Sequence, residues 1–263
     1  MNKHILFAIC LFCALSASMA QQKTASSILE IMDVIGGESS QLTKLFGGQG
    51  TLNVNSWSPD SRRLAFVSYR VDNEQTFKLT GDIGDCALAG KTVFDRTSGQ
   101  YTITGSGDNM WGVIDAFQYA WTEHQGDFTL TADIAFEGKG VNAHRKTGIR
   151  ISESLEPDAS CVYVAIHGDG LTELQYREKK GDITRNIVSE NKAPTRIQLS
   201  RKGSVFTMKT WSSGDKIPEN ADAVLTLEFP SKAFLGLFVC SHDNSVLETS
   251  CFSNVTFFSK TLI

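Results

Sequence analysis

The chain has 263 residues, 25 Lys and Arg against 29 Asp and Glu for a formal charge of -4, and 41% apolar and 21% charged positions. That composition excludes a disordered or collagen-like protein. With no basic stripe to follow a phosphate backbone, it also excludes nucleic acid as a partner. The 22 Gly against 5 Pro, with aromatics at 10%, favour strands joined by glycine turns, so an all-β fold is expected.

Residues 1–20 carry Lys3 and His4, an apolar run over 5–15, and Ser18-Met19-Ala20 with small residues where a signal peptidase reads. They are read as a signal peptide, which sends the chain to the periplasm or outside the cell. The apolar run is shorter than the roughly 18 residues of a membrane helix, and no later stretch reaches that length, so no membrane span is expected. Neither Cys10 nor Cys13 follows the pattern of a lipid-anchored cysteine, and lipidation is kept as the alternative. Removing these two leaves 6 - 2 = 4 cysteines, Cys86, Cys161, Cys240 and Cys251. Cys240 and Cys251 flank a ten-residue polar connection between two apolar runs, which makes them a candidate disulfide. The reading preferred to it is that all four are small hydrophobes at strand positions.

Residues 21–79 hold two strand-like runs, ILEIMDV and RLAFVSYR, separated by glycine-rich turns. A helix is the alternative over 27–34, and Gly36-Gly37 stops either element. The second run is entered through WSPDSRRLAFVS at 57–68. Pro59 presets φ and Asp60 bonds the backbone ahead of it, so the motif builds a hairpin turn and carries no chemistry. It resembles the repeat of TolB-like β-propellers. One blade cannot close a propeller, and its unpaired edges must pack on the neighbouring domain, add to a partner protein's sheet, or stay partly ordered.

Residues 80–263 read as continuous β structure. Alternation is clearest in FTLTADIAF, where Phe128, Leu130, Ala132, Ile134 and Phe136 share one face. Further strands are expected at QYTITGS, TGIRIS, CVYVAIH, TELQYRE, TRIQLSR, SVFTMKTW, AVLTLEF, AFLGLFVC and CFSNVTFF. Some ten strands suit a two-sheet jelly roll. The strings DIGDCALAG, YTITGSGDNMWGVIDAFQYAW, KTGIRISESL, LQYRE, RIQLSRKGSVFTMKTWSSG, FLGLFVCSHDN and FSNVTF, spread over 82–258, resemble a secreted bacterial family of the concanavalin A-like superfamily. The resemblance implies a laminin-G-like jelly roll of two antiparallel sheets, found fused to TolB-like repeats or carbohydrate-active modules, and it does not by itself fix a function.

Domains of that superfamily take ligands on a concave sheet face and its rim loops, where a sugar needs a flat aromatic and convergent polar groups. Trp111 in GSGDNMWG supplies the aromatic, with Asp108 or Asp115 to accept sugar hydroxyls; packing at the end of the sandwich is the alternative role of Trp111. Glu153 and Arg177 sit on polar-rich strands and are expected to pair across neighbouring strands or to meet the ligand. His242 ends an apolar strand and either bonds a ligand or satisfies a loop carbonyl, while Tyr176 and Trp211 are read as packing residues. The family carries its arginine where Ser152 stands here, two positions from Arg150, and no anion-binding role is carried over.

Calcium is the one cofactor weighed, because related domains hold it, but Asp82 to Asp85 and Asp243-Asn244 lack the spacing of a calcium loop and are read as turn formers. No CxxC or HxxxH points to a metal. Asn254-Val255-Thr256 is a glycosylation sequon inside a strand. Glu153, Glu156 and Asp158 straddle Pro157 without the alternate spacing that brings two carboxylates together for glycoside cleavage, and GxSxG, HExxH and GxxxxGK are absent. The expectation is a non-catalytic exported module that binds a glycan or other polymer at the cell envelope. The alternatives are a protein-interaction module using the blade's open edge and a polysaccharide hydrolase or lyase.

Overall fold

The computed structural model describes residues 26–32, 39–46 and 73–260. The segment 1–20, the turn-and-strand motif 57–68 and the run RLAFVSYR lie outside them. The chain divides into two compact units, 1–71 and 72–263. In the first, β1 (Ser26–Met32) and β2 (Ser39–Phe46) form an antiparallel pair with a register irregularity between Leu29 and Glu30. The strand reading of ILEIMDV therefore stands over the helical one.

The second unit is all strand and turn. In chain order its strands are β3 (Leu79–Ile83), β4 (Lys91–Asp95), β5 (Gln100–Gly105), β6 (Met110–Trp111), β7 (Ile114–Asp115), β8 (Phe117–Gln125), β9 (Asp127–Phe136) and β10 (Lys146–Ser152). There follow β11 (Cys161–His167), β12 (Thr172–Arg177), β13 (Arg185–Val188), β14 (Arg196–Lys202), β15 (Val205–Trp211), β16 (Ala223–Thr226), β17 (Lys232–Cys240) and β18 (Glu248–Lys260). Seven strands make a first sheet in the order β13-β12-β11-β10-β17-β8-β3, and seven a second in the order β16-β15-β14-β9-β18-β5-β4. Every pairing is antiparallel, and β6 and β7 form a small hairpin of their own.

Alternation decides what each face carries. Ile149 and Ile151 of β10 and Val162 and Val164 of β11 point between the sheets, where they meet Ile103, Leu130, Ala132, Leu199, Phe206 and Phe252. Each such side chain removed from water contributes about 1.5–3 kcal/mol, and this layer holds the sandwich together. Phe77 joins the same core, and the Thr76 and Phe77 amides donate to the Tyr101 hydroxyl at 2.8 and 3.0 Å, which ties residues before β3 to the sandwich.

The other face of the first sheet is also dry over much of its area. Phe117, Tyr119, Trp121, Cys161, Tyr163, Phe238 and Cys240 form a second buried cluster there with Met110 from the small hairpin. These strands are buried on both faces, unlike a sheet with one side in solvent.

All four cysteines of this unit are free thiols, and the candidate bridge between Cys240 and Cys251 is not formed. The two sit in different sheets, Cys240 on β17 against the Gly107 carbonyl and Cys251 on β18 beside Glu137 and Thr102. Cys161 and Cys240 are the small buried hydrophobes expected; Cys86 and Cys251 are only partly buried.

Candidate functional site

The segment 106–116 bends back over the outer face of the first sheet. Gly107 is needed at its start: φ is +119°, and a Cβ there would fall 2.0 Å from the Ala116 carbonyl oxygen. Beyond it, the Tyr163 hydroxyl donates to the Met110 carbonyl, the Thr184 amide to the Gly112 carbonyl at 2.7 Å, and the Asp115 amide to the Pro157 carbonyl at 2.9 Å. The Tyr163 hydroxyl thus fastens the hairpin to the sheet, and backbone bonds fasten it to the loops before β13 and after β10.

Under that hairpin Asp115 is fully buried between two arginines. Arg177 approaches it two-pronged, Nη2 to Oδ1 at 2.8 Å and Nη1 to Oδ2 at 2.9 Å, while Arg150 Nη2 reaches Oδ2 at 2.8 Å. Arg177 spends its remaining donors on the Asp182 and Ala159 carbonyls and the Thr184 hydroxyl. Arg150 Nε donates to Ser152 Oγ at 3.0 Å, its guanidinium lies over the rings of Phe117 and Tyr163, and its Nη1 has no partner. One carboxylate against two guanidiniums leaves the trio a net +1 in a dry setting. Asp115 and Arg177 therefore do not form an open ligand surface as the sequence predicts, and Arg177 pairs with Asp115 rather than with Glu153. Glu153 is exposed in the loop after β10, where its amide bonds the Ser160 carbonyl. Arg150, set aside on sequence grounds, is the second cation of the buried trio.

Trp111 does not plug the sandwich. It is 42% exposed on the hairpin, three residues after the exposed Asp108. Tyr176 packs against the main core, and Trp211 is half-buried with Arg196 5.8 Å from its ring centroid. Asp82 accepts from the Gly90 amide and Asp243 from the Ser245 amide and hydroxyl, so both serve turns. The sequon residue Asn254 sits at a bulge of β18 and donates through its side-chain amide to Asp133 at 2.7 Å.

Polar side chains gather at one end of the same outer face. Lys146 of β10 faces His167 of β11 on one side and Cys240 of β17 on the other. The ladder continues past the strand ends, with the Gly168 amide on the Arg145 carbonyl and the Asp169 amide on the Ala143 carbonyl, both at 2.9 Å. Two residues outward from Lys146, His144 thus stands between Asp169 and His242. The His144 ring centroid is 5.8 Å from that of His167 and 5.6 Å from that of His242. Lys146 Nζ donates to Asn109 Oδ1 at 2.8 Å and lies 3.3 Å from His242 Nδ1. Burial pulls the Lys146 ammonium below its ordinary pKa. His242 is brought down to about 4 by burial first and then by Lys146 and His144, so it is neutral at pH 7. Beside this group Glu173 accepts from Gln175 and Asn186.

His144, Lys146, His167, Asp169, Asn109 and Glu173 were not selected by sequence reasoning. Their one legible signal is polar residues at alternate positions of strands whose other positions are apolar, as in KTGIRIS and CVYVAIH. On the second sheet a separate shallow groove of about 400 Å³ is lined by Trp211, Phe258, Ile217, Arg196 and Gln198 among others.

No protein-family model matches the chain. An uncharacterised protein of Agrobacterium fabrum is 49% identical over 41 residues, a match that spans 16% of this chain and 14% of that protein. Among solved structures, a functionally unknown protein from Saccharomyces cerevisiae matches with a TM-score of 0.50 at 12% identity, over 65% of this chain and 92% of that one. The carbohydrate-binding module CBM66 from Bacillus subtilis matches with a TM-score of 0.41 at 17% identity, over 69% of this chain and 98% of the module. Lectin II from Ulex europaeus matches with a TM-score of 0.43 at 8% identity, over 70% and 99%. The fold is a jelly-roll sandwich of two seven-stranded antiparallel sheets. At these identities the likeness concerns architecture alone.

Proposed function

We propose that this chain is an exported, non-catalytic module that binds a glycan, and that recognition takes place where the hairpin 106–116 meets the polar end of the first sheet. The observation that carries the reading is the exposed Trp111 indole on the same hairpin as Asp108 and Asn109, the last of which accepts from Lys146 beside His242 and His144. A bare indole offers a flat face to a pyranose ring, and carboxylate, amide and imidazole groups nearby match its hydroxyls. Asp115, Arg150 and Arg177 take no ligand in this reading; they hold the hairpin that presents Trp111. Export rests on the signal-like residues 1–20, and the TolB-like reading of 21–79 on the motif at 57–68.

A glycan array followed by calorimetry on the full chain tests the proposal. The wild type is expected to retain at least one polysaccharide, and Trp111→Ala to lose about tenfold or more in affinity, since about 1.4 kcal/mol is a factor of ten. Absence of binding to every polysaccharide, or Trp111→Ala binding as the wild type does, overturns it. New reducing ends or unsaturated products from the same polysaccharides would replace it with a hydrolase or lyase.

A further inference from the structure

We propose that His144, His167 and Asp169 form a binding site for a divalent transition-metal ion at the polar end of the first sheet. The proposal stands on the geometry of these three side chains and does not depend on glycan binding.

One donor atom from each of the three lies within 4.8 Å of the other two. Metal–nitrogen and metal–oxygen bonds of about 2.0–2.2 Å in a tetrahedral zinc site put the ligand atoms about 3.4 Å apart, so closure asks for rotations of about 1 Å. The backbone supports that arrangement. Lys146 and His167 are register partners, and the two bonds that extend the ladder set His144 opposite Asp169, so all three donors leave one face at one strand end.

His167 is the independent sign that something is missing. It is 5% exposed, and neither ring nitrogen has a hydrogen-bond partner. A buried imidazole in that condition forfeits the interactions its nitrogens had in water, which structures ordinarily avoid. Its Nε2 lies 3.4 Å from Glu173 Oε2, close but not aligned for a hydrogen bond. A metal on Nδ1 would use the free nitrogen and leave Nε2–H to turn onto Glu173, the carboxylate-behind-imidazole arrangement that orients metal-binding histidines. Glu173 is held for that role by Gln175 and Asn186.

Two imidazoles and one carboxylate favour zinc and its transition-metal neighbours over calcium or magnesium, which prefer all-oxygen sites. Local charge agrees: Asp108, Asp169 and Glu173 stand against the ammonium of Lys146, and the adjacent Arg145 guanidinium is already paired with Glu248. His144 and Asp169 are exposed, so the ion can enter from solvent and keep a position open for water or a ligand atom, and His242 lies on the far side of His144.

The experiment uses the full chain, free of any histidine tag and stripped with a chelator, titrated with Zn2+ by calorimetry and with Co2+ by visible absorption. One Zn2+ per chain and the intense visible bands of four-coordinate Co2+ are expected. His144→Ala and Asp169→Asn change exposed residues, so their metal-free melting temperatures should equal the wild type's. The first should weaken Zn2+ on the order of 100-fold or more and the second about tenfold, against the 10–100-fold that loss of a supporting outer partner costs. No stoichiometric Zn2+ binding overturns the proposal, as does undiminished binding by both variants, or Ca2+ binding in place of Zn2+.

Discussion

Replacing Asp115 by Ala removes the one carboxylate that the described residues place between two buried guanidiniums. The perturbation takes away three hydrogen bonds of 2.8–2.9 Å and leaves Arg150 and Arg177, both without solvent contact, facing each other uncompensated. Breaking a buried pair from one side costs about 3–5 kcal/mol, because the stranded charge cannot recover its hydration. The unit spans 263 - 71 = 192 residues, for which one kcal/mol moves the melting temperature by about 2–4 °C. A loss of about 4 kcal/mol therefore corresponds to a drop of roughly 8–16 °C, measurable by circular dichroism and urea titration of the full chain. Arg150→Met is the discriminating companion. It deletes the cation whose Nη1 has no partner and leaves a neutral, two-pronged Asp115–Arg177 pair, so it should cost less than half as much. The reasoning is refuted if Asp115→Ala costs less than about 1 kcal/mol, little more than the roughly 0.5 kcal/mol of an ordinary surface change, or if Arg150→Met costs as much as Asp115→Ala.

His242 should titrate near pH 4 in the folded protein, visible in the NMR shifts of its ring, against about 6.5 in the unfolded chain. Because the unfolded chain binds that proton first, this residue lowers stability as pH falls from about 6.5 to about 4 and has no effect above; His242→Gln should flatten that part of the profile. Burial pushes the Cys161 thiol up to about 11 and the Cys240 thiol to about 12, so both should resist a thiol reagent at pH 8 until the protein unfolds. Fast labelling of either in the folded state would contradict their placement. Leu235→Ala, in the layer between the sheets, should destabilise by about 2–5 kcal/mol by urea titration, whereas Trp111→Ala should stay within about 0.5 kcal/mol.

The strands were legible where one parity is apolar and the other polar. FTLTADIAF announces β9 because Phe128, Leu130, Ala132 and Ile134 line the core while Thr129 does not. β8 lacks that signature because the aromatics of FQYAWTEHQ, Phe117, Tyr119 and Trp121, share the outward parity, and of the inward parity only Ala120 joins the layer between the sheets. β3, β4 and β13 have little apolar signal, since they run along sheet margins.

The site was less legible for a different reason. Asp115 sits 35 residues from Arg150 and 62 from Arg177, and only register makes them neighbours. An acidic residue beside a glycine turn looks the same in sequence whether it is bare or locked. His144, His167 and His242 likewise have no common spacing, and become a group only because β10 lies between β11 and β17.

That same strand order bears on how the sandwich comes into being. β17 separates β10 from β8 in one sheet, and β18 separates β9 from β5 in the other. A chain delivered from its N-terminus would hold four long strands with vacant inner edges until residues 232–260 arrive, so neither sheet can close early. Long-range pairing of this kind slows folding and exposes sticky edges meanwhile. A chain cut short before β17 should accumulate as aggregate rather than as a smaller sandwich.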